Sequence, residues 1–277
     1  MKTTENQSLP TDPAAPSIDE PEVPGLRELR ERLVASNAPG SHYEPELTAV
    51  HSRSHGYVYR VPGIKTGRVH HLLSRLEYHA LLFFDFSPDY TNIREQFALP
   101  LALTMHMAKR LGIRHPHDWQ KRQLTVMTTD FVLSTKDGRW MAIDVKPSKK
   151  LKSGRVLRKL DLVRKTWALV GIQHAVVTEK EQPVIAANNY RILHGLALPF
   201  DPPPLPESDL NRAEASMRAS LSAGRLTLRD AACACEREAG LGVGRCIRAA
   251  LWFVARRRWI VDLNRPIGPD EPLTFIA

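Results

Sequence analysis

The chain has 277 residues, room for two modest domains, with a formal net charge of +9 and a pI near 9.6. No apolar run approaches the length that spans a bilayer, and the N-terminus lacks the charged-then-apolar layout of a secretory signal. A membrane or secreted protein is therefore not expected, and a cytoplasmic one is. The charge is −3 over residues 1–40, +10 over 41–179 and +2 over 180–277, so a polyanionic partner is expected at the middle segment.

Residues 1–24 are proline-rich, acidic and poor in large apolar side chains, the composition of a disordered tail. A short charged helix is expected over 25–35 and a strand over 57–62. In residues 71–84, Leu73, Leu76, Ala80, Leu81 and Phe84 share one helical face. Glu77 falls inside that apolar stripe, where a glutamate is rarely left without a partner. Either an arginine such as Arg53 or Arg60 satisfies it, or it is a metal ligand. A strand region over 90–103 and a helix over 106–111 come next.

Residues 126–146 carry Asp130 on one expected strand and Asp144 and Lys146 on the next, with Lys-Asp-Gly between them. Side chains alternate along a strand, so Asp144 and Lys146 point the same way. A two-residue Asp137-Gly138 turn would pair Asp130 with Val145. A three-residue loop, Lys136-Asp137-Gly138, pairs Asp130 with Asp144 and puts the glycine at the left-handed position. The second register is expected, because only it gathers the polar groups. Phe131, Leu133, Ile143 and Val145 would then face the core. Two acids and a lysine on a buried strand pair are costly unless they are paired or bind a metal. The D…DxK arrangement is the one that metal-dependent PD-(D/E)xK nucleases use to cut phosphodiesters. An ordinary hairpin with exposed acids is the alternative, since DxK alone is a short motif.

A helix over 154–170 and a strand over 174–178 complete an expected mixed sheet flanked by helices. Nine basic residues and one acid lie between Val145 and Lys165. Lys149, Lys150, Lys152, Arg155, Arg158 and Lys159 are expected to grip DNA phosphates beside the cut. The proline run 198–206 reads as an extended linker. Around it are expected helices over 184–196, 207–221, 228–238 and 243–257, with Thr227 as an N-cap. In the last of these, Val243, Ile247, Ala250, Leu251 and Val254 would be buried, and Arg245, Arg248, Trp252 and Arg256 would face outward. A strand over 259–263, a turn and a partner over 273–276 finish a winged-helix pattern. Cys233, Cys235 and Cys246 lack metal-site spacing and read as reduced thiols of a helical core.

Spaced motifs then recur in one order. They are Ser74-x-x-Glu77, Arg94-Glu95-Gln96-Phe97-x-Leu99-Pro100, Gly112-x-x-His115-Pro116, Met127-Thr128-Thr129-Asp130-Phe131 and Ala142-Ile143-Asp144-Val145-Lys146-Pro147. The order continues through Leu151-x-x-Gly154-Arg155 to Trp167. Over roughly residues 45–180 this resembles the TnsA family, the endonuclease subunit of heteromeric cut-and-paste transposases. The resemblance implies a restriction-endonuclease-like α/β (α+β) domain over 25–179 and a smaller winged-helix-like domain over 180–277. It maps the family's catalytic triplet onto Glu77, Asp130 and Lys146. Some members carry a neutral amide where this chain has Asp144, so the acid here is expected to join Glu77 and Asp130 as a metal ligand. Two Mg²⁺ ions, or Mn²⁺, are the expected cofactors. The implied partners are transposon-end DNA, a DDE-family transposase and, through the C-terminal domain, an AAA-type ATPase. The implied setting is the bacterial cytoplasm and nucleoid. A free-standing restriction or repair nuclease and a non-catalytic DNA-binding adaptor remain the alternatives.

Overall fold

The computed structural model describes residues 23–37, 42–48, 57–118, 122–222, 224 and 226–276. The expected tail over 1–24 lies, up to residue 22, outside the described residues, as does Arg53. Val23 is described and packs against the core. The chain divides into two compact units: residues up to Val61 with Arg68–Glu181, and Pro62–Gly67 with the chain from Gln182 onward.

The first unit is built on an open four-stranded sheet in the order β3-β6-β7-β8, where β3 is Tyr90–Ala98, β6 Thr128–Thr135, β7 Trp140–Val145 and β8 Gln173–Val177. β3, β6 and β7 are antiparallel neighbours, and β8 runs parallel to β7. A parallel return needs a crossover, supplied here by a 3-10 segment, Ser148–Lys152, and helix α4, Gly154–Ala168. Both faces of the sheet are covered. Helices α1 (Leu26–Asn37), α3 (Leu101–Arg110) and α4 bring Leu33, Leu103, Met107, Leu162 and Trp167 against Val132 and Ala142. Helix α2 (Arg75–Phe86) brings Ala80, Leu81 and Phe84 against Ile93, Phe131, Leu133, Ile143 and Val145. Phe131, Leu133, Ile143 and Val145 therefore face the core as their alternation requires. Trp167 is fully buried, and its indole N–H donates to Thr129 Oγ1 at 2.8 Å, which satisfies its one polar atom.

Several boundaries differ from expectation. Val69–Leu72 is strand β2, paired with β1 (Tyr59–Pro62), and helix α2 starts only at Arg75. Ser74 explains the late start: its hydroxyl accepts from the Glu77 backbone N–H and caps the helix. β3 stops at Ala98 and α3 begins at Leu101, because Pro100, with φ −54°, takes the N-cap position of the helix. A two-stranded ribbon of β4 (His117–Asp118) and β5 (Gln123–Leu124) was not expected.

The second unit is helical: α5 (Val184–Ala197), α6 (Glu207–Ser222), α7 (Leu228–Ala239) and α8 (Arg245–Ala255). Thr227 and Asp230 form a reciprocal capping box at the start of α7. Gly240 ends that helix in the left-handed conformation, φ 65°. Helix α8 starts two residues later than expected, at a left-handed Gly244, and the buried stripe is rotated accordingly. Val243 is 96% exposed; Cys246, Ala249, Ala250, Phe253 and Val254 are buried. The expected terminal hairpin is reduced to one bridge, Val261↔Phe275, with hydrogen bonds Asp262 N–H to Thr274 O and Ile276 N–H to Ile260 O. The three cysteines are free, and Cys235 and Cys246 are buried with their sulfurs 3.4 Å apart. Among the described residues no helix is long and apolar enough to cross a membrane.

Candidate active site

The site grows from the hairpin. β6 and β7 pair Phe131 with Ile143 and Ser134 with Trp140. The loop is the three-residue Lys136-Asp137-Gly138, closed by Thr135 N–H to Arg139 O at 2.9 Å, with Gly138 at φ 78°. Continued one step, this register would set Asp130 opposite Asp144, as expected. It would also hand the Val145 N–H to the backbone of Thr129. The ladder stops one step short, at Phe131 and Ile143. There the strands part, and the Asp130 carboxylate takes the Val145 N–H instead, Oδ2 accepting at 2.7 Å. An acid side chain thus occupies the fork where the backbone ladder ends.

Lys146 closes the fork. Its ammonium donates to Asp130 Oδ2 at 2.6 Å and to Asp144 Oδ1 at 3.0 Å. His174, from β8, makes a 2.9 Å contact from Nε2 to the other Asp144 oxygen. Asp130 and Asp144 are 7% and 4% exposed, so these charges sit largely out of water. Burial pushes the Asp130 carboxyl up, against the pull of Lys146. Burial acts the same way on Asp144, but the His174 hydrogen bond and the Lys146 charge overrule it and hold that carboxyl at about 2. Burial works against the Lys146 ammonium, yet the two aspartates raise it above the ordinary lysine range. In the metal-free protein Lys146 is therefore held as a cation and hydrogen-bond donor.

Glu77 stands beside this group. Among the described residues it has no arginine partner. Its carboxylate accepts from Ser74 Oγ at 2.8 Å, from the Leu73 N–H at 2.9 Å and from Gln96 Nε2 at 3.2 Å. Burial, then the Asp130 charge, pushes it up to about 7. A carboxyl raised by burial and by a neighbouring carboxylate is short of positive charge. Gln96 was quoted in a motif but not singled out. It is buried, takes a left-handed φ of 48°, and accepts from Thr128 Oγ1 at 3.2 Å while donating to Glu77. Ile93 packs on the α2 side of the sheet and Phe97 on the α4 side, so the alternation of β3 breaks around Gln96. Nothing in the local pattern signals that break. Arg94 and Glu95 serve the scaffold: Arg94 donates to Ser36 O at 3.0 Å, and Glu95 takes Arg68 at 2.8 Å and contacts His70 at 2.8 Å.

Glu77, Asp130, Asp144 and Lys146 are thus brought to one end of the sheet. The carboxylates do not form a ready three-ligand cluster, and among the described residues no group of three or more His, Cys, Asp or Glu side chains does. The reason is local: both oxygens of Asp144 are engaged, by Lys146 and His174. Oxygen donors such as Glu77 and Asp130, both pushed up first by burial, fit a hard divalent cation in kind. Lys149, Lys150, Lys152, Arg155, Arg158 and Lys159 are all exposed, on the 3-10 segment and the first turns of α4.

Comparison with known proteins agrees with this geometry. Residues 87–179, which hold Asp130, Asp144 and Lys146 but not Glu77, match the family described as TnsA-like endonuclease N terminal. The Transposon Tn7 transposition protein TnsA of Escherichia coli is 41% identical over 152 residues, 54% of this chain and 55% of that protein. The chain spans about half the length of the curated relative it matches. With its acids and lysine at the fork of a mixed sheet flanked by helices, the first unit is similar over residues 87–179 to the N-terminal domain of TnsA-like endonucleases.

Proposed function

We propose that this protein is a divalent-metal-dependent DNA endonuclease of a transposition machinery. It cuts the 5′ ends, the non-transferred strands, of a mobile element, while a DDE-family transposase processes the 3′ ends. The observation that carries this reading is the Lys146 ammonium clasped by Asp130 and Asp144 at the strand fork, with Glu77 electrostatically coupled to Asp130.

Glu77 and Asp130 hold Mg²⁺ or Mn²⁺, with Asp144 available as a third donor once Lys146 turns to substrate. Bound metal activates water and stabilises the leaving oxygen. Lys146 keeps its proton, so it donates to the attacking water or to a non-bridging phosphate oxygen and offsets the charge that develops there. The Val145 N–H and Lys146 fix Asp130, and His174 fixes Asp144. Gln96 and Ser74 do the same for Glu77. The exposed basic residues from Lys149 to Lys159 position the DNA by its phosphates.

The second unit serves as the docking part, toward an AAA-type ATPase. Its charge over 180–277 is only +2. Two arginines on α8 and at its C-terminal end are already engaged: Arg256 donates to the carbonyls of Leu196, Leu198 and Asp201, and Arg248 pairs with Asp201 at 3.2 Å. That leaves less for phosphates and favours protein over major-groove DNA.

The test is cleavage of end-labelled element DNA in Mg²⁺, with and without the transposase. Cutting at the 5′ ends should need both proteins and should vanish with Asp130→Ala, while 3′ processing survives. Robust cutting of arbitrary duplex by the lone chain would instead favour a free-standing restriction or repair nuclease. Specific DNA binding with no cutting in any mixture would favour the adaptor.

A further inference from the structure

Two hollows open along the seam where α3 and the segment after it lie against α4. The larger, about 870 Å³, has Ile113–His117 residues on one wall and residues between Lys150 and Leu162 on the other. The smaller, about 550 Å³, is lined by Met107, Arg110 and Leu111 from α3 and by Arg164, Lys165, Ala168 and Leu169. The end of α3 faces the later part of α4 and the segment after α3 faces its earlier part, so the hollows follow one another along one antiparallel seam.

Their chemistry is one-sided. Arg114, Lys150, Arg155, Arg158 and Lys159 line the first hollow, and Arg110 and Lys165 line the second; neither lining includes an aspartate or glutamate. Arg164 is occupied by Asp161. Arg110, Arg155, Arg158, Lys159 and Lys165 are exposed and have no ion-pair partner among the described residues. From Arg155 to Lys165 the helix rises about 15 Å. So many cations in that length repel one another unless a polyanion lies along them. The floor is apolar, with Ile113, Val156 and Leu162, which suits the sugar faces of a backbone better than isolated ions. The seam also starts close to the candidate active site. Lys150 is four residues beyond Lys146, within about 14 Å even for a fully extended chain.

We infer that the α3–α4 seam is a track for the sugar-phosphate backbone of duplex DNA leading away from the cut, with Arg110 and Lys165 as its far end. This rests on the nuclease reading for its direction and extends the contact surface beyond the basic run. At about 3.4 Å per step along a strand, the seam spans roughly four steps, or about five phosphates.

The experiment is fluorescence anisotropy of the full chain on a labelled 30-base-pair duplex of arbitrary sequence, titrated with salt in chelator. Arg155→Ala/Arg158→Ala/Lys159→Ala should flatten the slope of log affinity against log salt by about 2.7, and Arg110→Ala/Lys165→Ala by about 1.8, at about 0.9 per lost phosphate contact. Unchanged melting temperatures would show that the exposed substitutions leave the fold intact. A slope unmoved by Arg110→Ala/Lys165→Ala would overturn the track. So would displacement of the duplex by poly-glutamate of equal charge, which would assign the seam to an acidic protein. A wild-type chain that binds with these slopes and never cuts DNA would retire the nuclease reading and leave the track standing. A chain that cuts while both variants bind unchanged would do the reverse.

Discussion

Lys146 has two aspartate partners, and its protonation is the most consequential property of any single side chain here. Lys146→Ala should lower the cleavage rate by at least about a hundredfold, the scale seen when one preorganised electrostatic donor is removed. Single-turnover cleavage by the assembled machinery measures it. Glu77 makes a separate prediction for the metal-free protein. Its carboxyl ordinarily titrates near 4.5 and stands at about 7 in the fold, first through burial and then through the Asp130 charge. A group raised on folding contributes stability below its ordinary value and loses that contribution as pH rises through the folded value. In chelator, the melting temperature should therefore fall as pH rises from about 4.5 to about 7, the window those two values set. Glu77→Gln should flatten that fall; an unchanged profile would contradict the assigned electrostatics. Asp144 is depressed to about 2, so its stabilising share is lost only in stronger acid, outside this window. Asp130, Asp144 and Lys146 were legible in the sequence because charged residues on an otherwise apolar strand pair stand out. Gln96 and His174 were not. Their roles come from a break in strand alternation and from a parallel neighbour 30 residues from Asp144, which local spacing does not reveal.

At the scale of elements, two short devices aim the site. The first is the three-residue turn, which sets the β6–β7 register. Gly138 has open space around it, so a side chain there meets no clash but must adopt φ 78°. Gly138→Val should destabilise the protein by about 1–2 kcal/mol through that conformation, and Gly138→Asn by less. Urea unfolding reads the difference. This turn was legible, since a Lys-Asp-Gly loop and the need to collect three polar groups point to one register. The second device is the Ser74 cap of α2. Ser74→Ala removes the cap and one partner of the Glu77 carboxylate together. It should cost about 1 kcal/mol of stability and also weaken cleavage in limiting metal. A loss of stability with full activity would mean that Glu77 needs no help from Ser74. Helical periodicity extended α2 back to residue 71, because Leu72 and Leu73 are apolar whether they end a strand or begin a helix. Only the competition between the Ser74 cap and the pairing of β2 decides it. The winged pattern shows the opposite limit: apolar spacing marked strands at 259–263 and 273–276, yet one bridge forms.

For the whole molecule, a basic first unit carries the acids and a nearly neutral second unit ties up two of its own arginines. That division suits a nuclease whose activity depends on assembly, since an unrestrained enzyme with a basic surface would cut its host's DNA. The lone chain should accordingly cut poorly even with its acid and lysine set complete, and gain activity when the transposase and element ends are added. The chain divides between Glu181 and Gln182, so the proline run 198–206, read as a linker, lies inside the second unit. The inclusion of Pro62–Gly67 with the second unit was not legible in the sequence, because it depends on packing far from its place in the chain. The central claim is that Glu77 and Asp130 jointly bind the metal that cuts DNA. It is tested most directly by crystals of the full chain grown with duplex DNA and Mn²⁺, examined by anomalous diffraction. The account predicts a peak shared by Glu77 and Asp130, at metal–oxygen distances of about 2.0–2.6 Å, and its loss in Asp130→Ala. Bound DNA with no anomalous peak at these carboxylates, or a peak held by other side chains, would contradict it.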